Sequence, residues 1–224
     1  MDERRREVAD KYDRGASTYS ARYADPDAQC DFYVQRIERW AVPVLPPASV
    51  LEISCADGFM TEALARRGFR VTGIDLSPEM VKVAKERLSS AGLEADLRVA
   101  DANVFEPDRT WDVLLAPMAT FYHYIDDPAA LVARLAPSIT RKVLVDLNPR
   151  EVDPDRAVRD LRAAGFTERT GWEPVYVPSS TRIGATGRWA LRTVGSIPPI
   201  RSAILKRKFN VVAMGAKTSP GAEA

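Results

Sequence analysis

From Ser49 onward the chain alternates short, continuously apolar runs with segments whose apolar residues recur at helical spacing. Ser49–Ser54 (SVLEIS), Phe69–Asp75 (FRVTGID), Leu97–Ala100, Trp111–Ala116 (WDVLLA) and Arg141–Leu147 (RKVLVDL) read as strands. Their successive positions, not alternate ones, are apolar, which predicts burial on both faces, as in a parallel sheet. Helices are predicted between them. One runs from Gly58 to Arg67 and stops at Gly68, and one from Pro78 to about Ser90, with Ser77 as its cap, Pro78 in its first turn and Gly92 just past its end. Others cover Pro128–Ala136 and Pro154–Ala164, the latter ending at Gly165. Strands that alternate with helices require crossover connections, so the pattern predicts a doubly wound α/β domain with a largely parallel sheet.

The flanking regions follow other rhythms. Residues 1–48 read as polar and helical, interrupted at Asp25-Pro26 and closed by Pro43, Pro46 and Pro47. Thr167–Val177 and Phe209–Met214 read as two late strands, with an irregular basic and apolar segment between them. Residues 218–224 read as a loose end. The expected organisation is an N-terminal helical segment (1–48), an α/β domain (49–217) and a flexible tail (218–224).

Composition narrows the function classes. The chain has 224 residues, 46% hydrophobic and 28% charged, with a formal net charge of +1. That balance excludes a strongly basic nucleic-acid binder, but it conceals an asymmetry. Residues 1–173 hold 30 of the 31 acids and 24 of the 32 Lys and Arg residues, so the positive field belongs to the C-terminal piece. Two cysteines, Cys30 and Cys55, are too few for a disulfide framework, and no metal site is suggested. Met1–Arg6 is charged, unlike a signal peptide, and no run of about 18 apolar residues occurs, so a cytoplasmic protein is expected.

In a doubly wound sheet, ligands bind beyond the carboxyl ends of the strands, at the switch in strand order. The turn after the first strand reads Glu52-Ile53-Ser54-Cys55-Ala56-Asp57-Gly58. A dinucleotide fingerprint would need glycines at Ser54, Ala56 and Phe59, and a phosphate-binding P-loop would need Gly-Lys-Ser/Thr; both are absent. The segment instead resembles motif I of the class I S-adenosylmethionine-dependent methyltransferases, an acid followed by three alternating glycines. Glu52 matches the acid and Gly58 the third glycine, while the small residues Ser54 and Ala56 replace the other two. The next elements follow the family's order. Gly73-Ile74-Asp75-Leu76-Ser77-Pro78-Glu79-Met80 ends the second strand on an acid, Ala100-Asp101-Ala102 follows the third, and Trp111–Ala116 matches the fourth-strand motif.

The resemblance implies a seven-stranded sheet with helices on both faces and an antiparallel last strand. It implies S-adenosylmethionine as cofactor, with S-adenosylhomocysteine as product. Asp75 then grips the ribose hydroxyls, Leu76 and Met80 flank the adenine, and Asp101 accepts from its amino group beside Ala102. Glu52, Ser54, Ala56, Gly58 and Ala116 complete the cofactor side. Upstream, Tyr12, Tyr19 and Tyr23 are similar to lid residues of small-molecule members, Tyr19 being the best match for closing over the methionine end.

Methyl transfer from a sulfonium demands mainly alignment and exclusion of water. A base is required only if the acceptor starts protonated. His123, the only histidine, follows the fourth strand in Thr120-Phe121-Tyr122-His123-Tyr124, where an acceptor would sit, and is the candidate base. Tyr122 and Tyr124 are candidates for lining an aromatic acceptor pocket. The segment after the fourth strand lacks the double-proline signature of base-modifying amino-methyltransferases, so a small metabolite is expected, not a nucleic acid. In the basic segment, Arg188 and Arg192 suit an anionic acceptor; a solvated basic face is the simpler reading, and contact with a membrane surface ranks third. The expected function is O- or N-methylation of a small molecule, plausibly in a bacterial natural-product pathway. Two rivals stand beside it, a non-methylating cyclase or regulatory module of the same fold and a nicotinamide oxidoreductase.

Overall fold

The structure, a computed structural model, describes residues 3–118, 124–175 and 210–217. Tyr122, His123, Arg188, Arg192, the rest of the basic segment and the tail lie outside the described residues.

Seven strands form one sheet in the order β3-β2-β1-β4-β5-β7-β6. They are β1 (Ser49–Ile53), β2 (Arg70–Asp75), β3 (Asp96–Val99), β4 (Trp111–Ala116), β5 (Ile139–Leu147), β6 (Glu168–Pro174) and β7 (Val211–Ala216). The first five pair in parallel, and β7 lies antiparallel between β5 and β6. This is the expected doubly wound, Rossmann-like sheet, including its antiparallel last strand. The apolar runs mark its parallel strands closely. The fourth covers Trp111–Ala116 as expected, while the last two end at Pro174 and Ala216 instead of Val177 and Met214.

Alternate residues of the strands feed two cores. Val50, Val113, Leu115, Leu144, Val212 and Met214 meet Phe32, Tyr33, Val34 and Ile37 of α2 (Pro26–Arg39) and Met60 and Leu64 of α3 (Phe59–Arg66). Leu51, Ile53, Ile74, Leu114, Val143 and Val145 pack under α5 (Pro128–Leu135) and α6 (Pro154–Ala163). Between them in sequence, α4 (Pro78–Ser90) covers Cys55 and Leu97 with Val81, Ala84 and Leu88.

Local chemistry sets the helix starts. The Ser77 hydroxyl accepts from Met80 N at 3.0 Å with Pro78 in the first turn, and Asp127 caps α5 through Ala130 N at 3.0 Å. Asp25-Pro26 is likewise a helix start: Asp25 Oδ1 accepts from Ala28 N at 3.1 Å. Residues 26–39 therefore pack into the core of the α/β sheet.

One strand residue defies its type. Lys142 on β5 is fully buried, and its ammonium donates to the carbonyls of Arg36 (3.0 Å), Ile37 (2.7 Å) and Trp40 (2.6 Å). They lie at the end of α2, where Arg36 O and Ile37 O also accept from Trp40 N and Val44 N and where a positive charge meets the negative end of the helix dipole.

Candidate functional site

Strand order reverses between β1 and its neighbours β2 and β4, which opens a crevice beyond their carboxyl ends. A cavity of about 60 Å³ lies there. Its floor is Ser54, Ala56, Ile74, Asp75 and Leu76; its far wall is Ala100–Asn103 with Tyr124 and Ile125; its roof is Val8, Ala9, Tyr12 and Tyr19.

The turn after β1 keeps the shape its missing glycines would give. Ser54 (φ 58°) and Ala56 (φ 48°) both hold the left-handed conformation, as does Gly58 (φ 77°). Gly58 is the position where the space is also tight: a Cβ there would stand 2.8 Å from Ala84 Cβ on α4. Left-handed backbone costs an ordinary residue on the order of 1 kcal/mol or more. Ser54→Gly and Ala56→Gly should therefore each stabilise the fold by about 0.5–1 kcal/mol, after the greater freedom of glycine in the unfolded chain is subtracted. Thermal melts should rise by about 1–4 °C per substitution. A fall in melting temperature for both would mean that the side chains hold the turn through contacts that glycine lacks.

Asp75, at the end of β2, ties this turn to the next helix. Its Oδ2 accepts from Ala56 N and its Oδ1 from Ser77 N, both at 2.9 Å. Burial pushes its carboxyl up to about 6, against the pull of these N–H groups. Asp101, after β3, holds Asn103 through N (2.9 Å) and Nδ2 (3.0 Å), and its other oxygen lies 3.1 Å from Arg5 Nε. Two carboxylates at adjacent strand ends thus share one cavity wall. Carboxylate oxygens retain lone pairs beyond these contacts and can accept further hydrogen bonds from a ligand.

The roof is aromatic. Rings of Tyr124, Tyr12, Tyr19 and Tyr23 follow one another edge to face, with centroids 5.6, 6.0 and 5.9 Å apart. Tyr12 Oη donates to Tyr124 Oη at 2.7 Å, and the Tyr19 and Tyr23 hydroxyls are 3.2 Å apart. Burial raises the pKa of Tyr12, Tyr19 and Tyr23, so these hydroxyls stay protonated and are not bases at neutral pH.

Of the residues singled out in the sequence, Tyr19, Ser54, Ala56, Asp75, Leu76, Asp101, Ala102 and Tyr124 line this cavity. Tyr124 stands against Asn103 on the wall that holds Asp101, not on a separate acceptor side. Four others sit behind the lining. Glu52 is buried beneath the turn, accepts from Thr61 Oγ1 at 2.6 Å, and is pushed up to about 8 by burial, a neutral acid at pH 7. Gly58 starts α3. Met80 packs against Ala16 and Ala56 instead of flanking the cavity, and Ala116 belongs to the core under α5. Asp126, beside this wall, pairs with Arg4 and Arg5.

Sequence reasoning missed Val8, Ala9, Ser77, Asn103 and Ile125. The first two carried a signal, because with Tyr12 they are apolar on neighbouring turns of an otherwise charged helix, α1 (Glu3–Asp13). It also missed the support beside the turn. Arg87 donates to Asp57 O (2.8 Å), Asp57 Oδ2 (2.9 Å) and Ser20 Oγ (2.9 Å), while Ser20 N donates to Asp57 Oδ2 at 3.1 Å. This network joins α4, the turn and the roof segment.

Comparison with known proteins agrees with this geometry. Residues 50–142 match the family described as "Methyltransferase domain". Ubiquinone biosynthesis O-methyltransferase of Xanthomonas campestris pv. campestris (strain B100) is 33% identical over 92 residues, which cover 41% of this chain and 38% of that protein. The chain thus matches little more than a third of that relative's length. Two solved structures share the fold, each at 17% identity. Phosphoethanolamine N-methyltransferase 2 of Haemonchus contortus, solved with phosphomonomethylethanolamine and S-adenosylhomocysteine, superposes with a TM-score of 0.66 over 92% of this chain and 57% of its own. The cyclase SpnF superposes with a TM-score of 0.65 over 95% of both chains.

Proposed function

From a methyltransferase domain at residues 50–142, set in a sheet of the class I fold, we propose that the chain transfers a methyl group from S-adenosylmethionine to an oxygen or nitrogen of a small metabolite. The observation that carries this reading is the pair of carboxylates, Asp75 and Asp101, facing one cavity beside the left-handed turn at Ser54 and Ala56. The S-adenosylhomocysteine in the Haemonchus contortus neighbour and the O-methyltransferase relative support it.

Asp75 would hold the ribose by accepting from its two hydroxyls, and Asp101 would accept from the adenine amino group. Ser54 and Ala56 let the backbone approach the ligand, and Tyr12 and Tyr19 exclude water from above. The cofactor supplies an electrophilic methyl group on a positively charged sulfur, which leaves as a neutral thioether. His123 takes the proton of a protonated acceptor, Tyr122 lines the acceptor side, and Arg188 and Arg192 hold an anionic group. A biosynthetic role in natural-product methylation accords with the chain's size and its O-methyltransferase relative. Incubation with S-adenosylmethionine and a panel of phenolic and amine acceptors tests the whole reading. S-adenosylhomocysteine formation supports it; tight binding without that product against any acceptor favours a non-methylating use of the same fold, as in a cyclase.

The ionisation of Asp75 gives an independent check. Ligand hydroxyls donate to a carboxylate, and protonation removes an acceptor, so affinity is lost as pH falls through about 6. Titration calorimetry should show S-adenosylmethionine bound about tenfold more weakly at pH 5 than at pH 7, since each unit below the pKa costs about a factor of ten. A flat profile across this window would remove Asp75 from the ligand's contacts.

A further inference from the structure

The helix that roofs the cavity is held in its middle by Tyr12, which packs on Tyr19 and Tyr124 and donates to the Tyr124 hydroxyl. Ala9 is the buried residue of α1, although Val8, Ala9 and Tyr12 all form cavity wall. Polar ties fix the helix at both ends. At its C-terminal end, Asp13 accepts from the Ser77 hydroxyl and from Glu79 N at 3.3 Å, both on the stretch that starts α4. At its N-terminal end, Arg5 Nη2 reaches Asp126 Oδ2 at 2.5 Å while Arg5 Nε lies 3.1 Å from Asp101 Oδ2, and Arg4 adds a contact to Asp126 at 3.3 Å.

The two ends differ in what they touch. Asp13 grips the start of a helix that packs on the sheet. Arg5 grips Asp101, one of the two carboxylates that a ligand in this cavity would meet. With Arg5 in place, α1 stands between solvent and the wall made by Asp101, Ala102 and Asn103. Without it, Asp101 loses the cation that bridges it to Asp126, which keeps only Arg4, so the closed position satisfies both acids at once.

We propose that α1 is a gate latched by Arg5 across Asp101 and Asp126, and that breaking this latch sets the rate at which the nucleoside end of the cofactor enters and leaves. The proposal rests on the cofactor reading above and adds a control that the reading does not require. Side-chain exposures of 22% for Arg5, 15% for Asp101 and 48% for Asp126 leave the latch partly open to water, where salt screens it. Opening is therefore faster at higher ionic strength, and association speeds up with salt. Simple electrostatic attraction of a cationic ligand to an acidic cavity gives the opposite trend.

Stopped-flow binding of S-adenosylmethionine and S-adenosylhomocysteine to the full chain decides it, over salt from about 50 to about 500 mM. For the unaltered protein, association and dissociation should both accelerate with salt. For Arg5→Gln both should be faster at low salt, by about three- to thirtyfold, the range for losing two partly exposed ion pairs, and nearly independent of salt. Asp126→Asn, which leaves Asp101 in place, should fall between them. Hydrogen exchange of the α1 amides should quicken in the same order without ligand. Binding with rates unchanged by either substitution, or slowed by salt in the unaltered protein, overturns the latch and leaves the cofactor reading standing. Absence of binding to every protein overturns that reading and the latch with it.

Discussion

Asp75→Ala is expected to weaken S-adenosylmethionine binding by about 30- to 1,000-fold, the loss of two charge-assisted hydrogen bonds worth about 2–4 kcal/mol together. The same change reaches the fold. Ala56 N and Ser77 N both donate to this carboxylate, so alanine leaves two donors unpaired at the turn and at the start of α4. Stability should fall by about 1–3 kcal/mol, less if water reaches the freed groups. Asp75→Asn separates the two effects, because its amide oxygen keeps one acceptor for the backbone while the negative charge is gone. Calorimetric titration should show both variants binding weakly and the asparagine variant melting closer to the unaltered protein. Unchanged affinity in a folded Asp75→Ala protein would show that the end of β2 does not hold the ligand.

Lys142→Met is expected to destabilise the protein by about 1–3 kcal/mol. Methionine keeps the apolar stem but no donor; Arg36 O and Ile37 O keep the N–H groups of Trp40 and Val44, while Trp40 O loses the ammonium that serves it. A buried acceptor without a partner costs about 1–3 kcal/mol, and relaxation of the last helical turn recovers part of that sum. Urea unfolding followed by circular dichroism measures the loss, and the melting temperature should drop by about 2–12 °C. A change below about 1 kcal/mol would mean that the helix end finds other donors, which would demote Lys142 to a packing residue.

The parallel half of the sheet was legible because its signals are local. Trp111–Ala116 is apolar throughout, and Ser77-Pro78 carries a cap and a first turn in two letters. The cavity floor was legible for a related reason: in doubly wound sheets the crevice lies beyond strand ends, and strand ends are marked by the switch from apolar run to acid, as at Asp75 and Asp101. What escaped depends on pairs distant in sequence. Arg141-Lys142 at the head of an apolar run looks like a solvated strand end, and only the position of α2 above the sheet makes Lys142 a buried cap. Asp126 next to Asp127 looks like a second helix cap; it is α1, brought across from the far end of the chain, that turns it toward Arg4 and Arg5. Met80 carried the right type for an adenine contact but the wrong side of its helix, because the start of α4 directs it under Ala56 and Ala16. Sequence spacing fixes which residues share an element, while the packing of elements decides which of them meet the cavity.

The sheet order carries a consequence for how the chain emerges from the ribosome. Strand β7 lies between β5 and β6 although it is the last to be made. Until Val211–Ala216 has left the exit tunnel, β5 presents an open edge along Lys142–Leu147, a row that includes four apolar residues later covered on that side by β7. Strand β6, already synthesised, has no neighbour to bind, since each of its ladder partners is in β7. Nascent chains stalled before residue 211 therefore hold a five-stranded parallel sheet with an unpaired apolar margin, the kind of margin that recruits other strands. Completion of the sheet waits for this one short hydrophobic strand, which slots between β5 and β6 and satisfies two edges together.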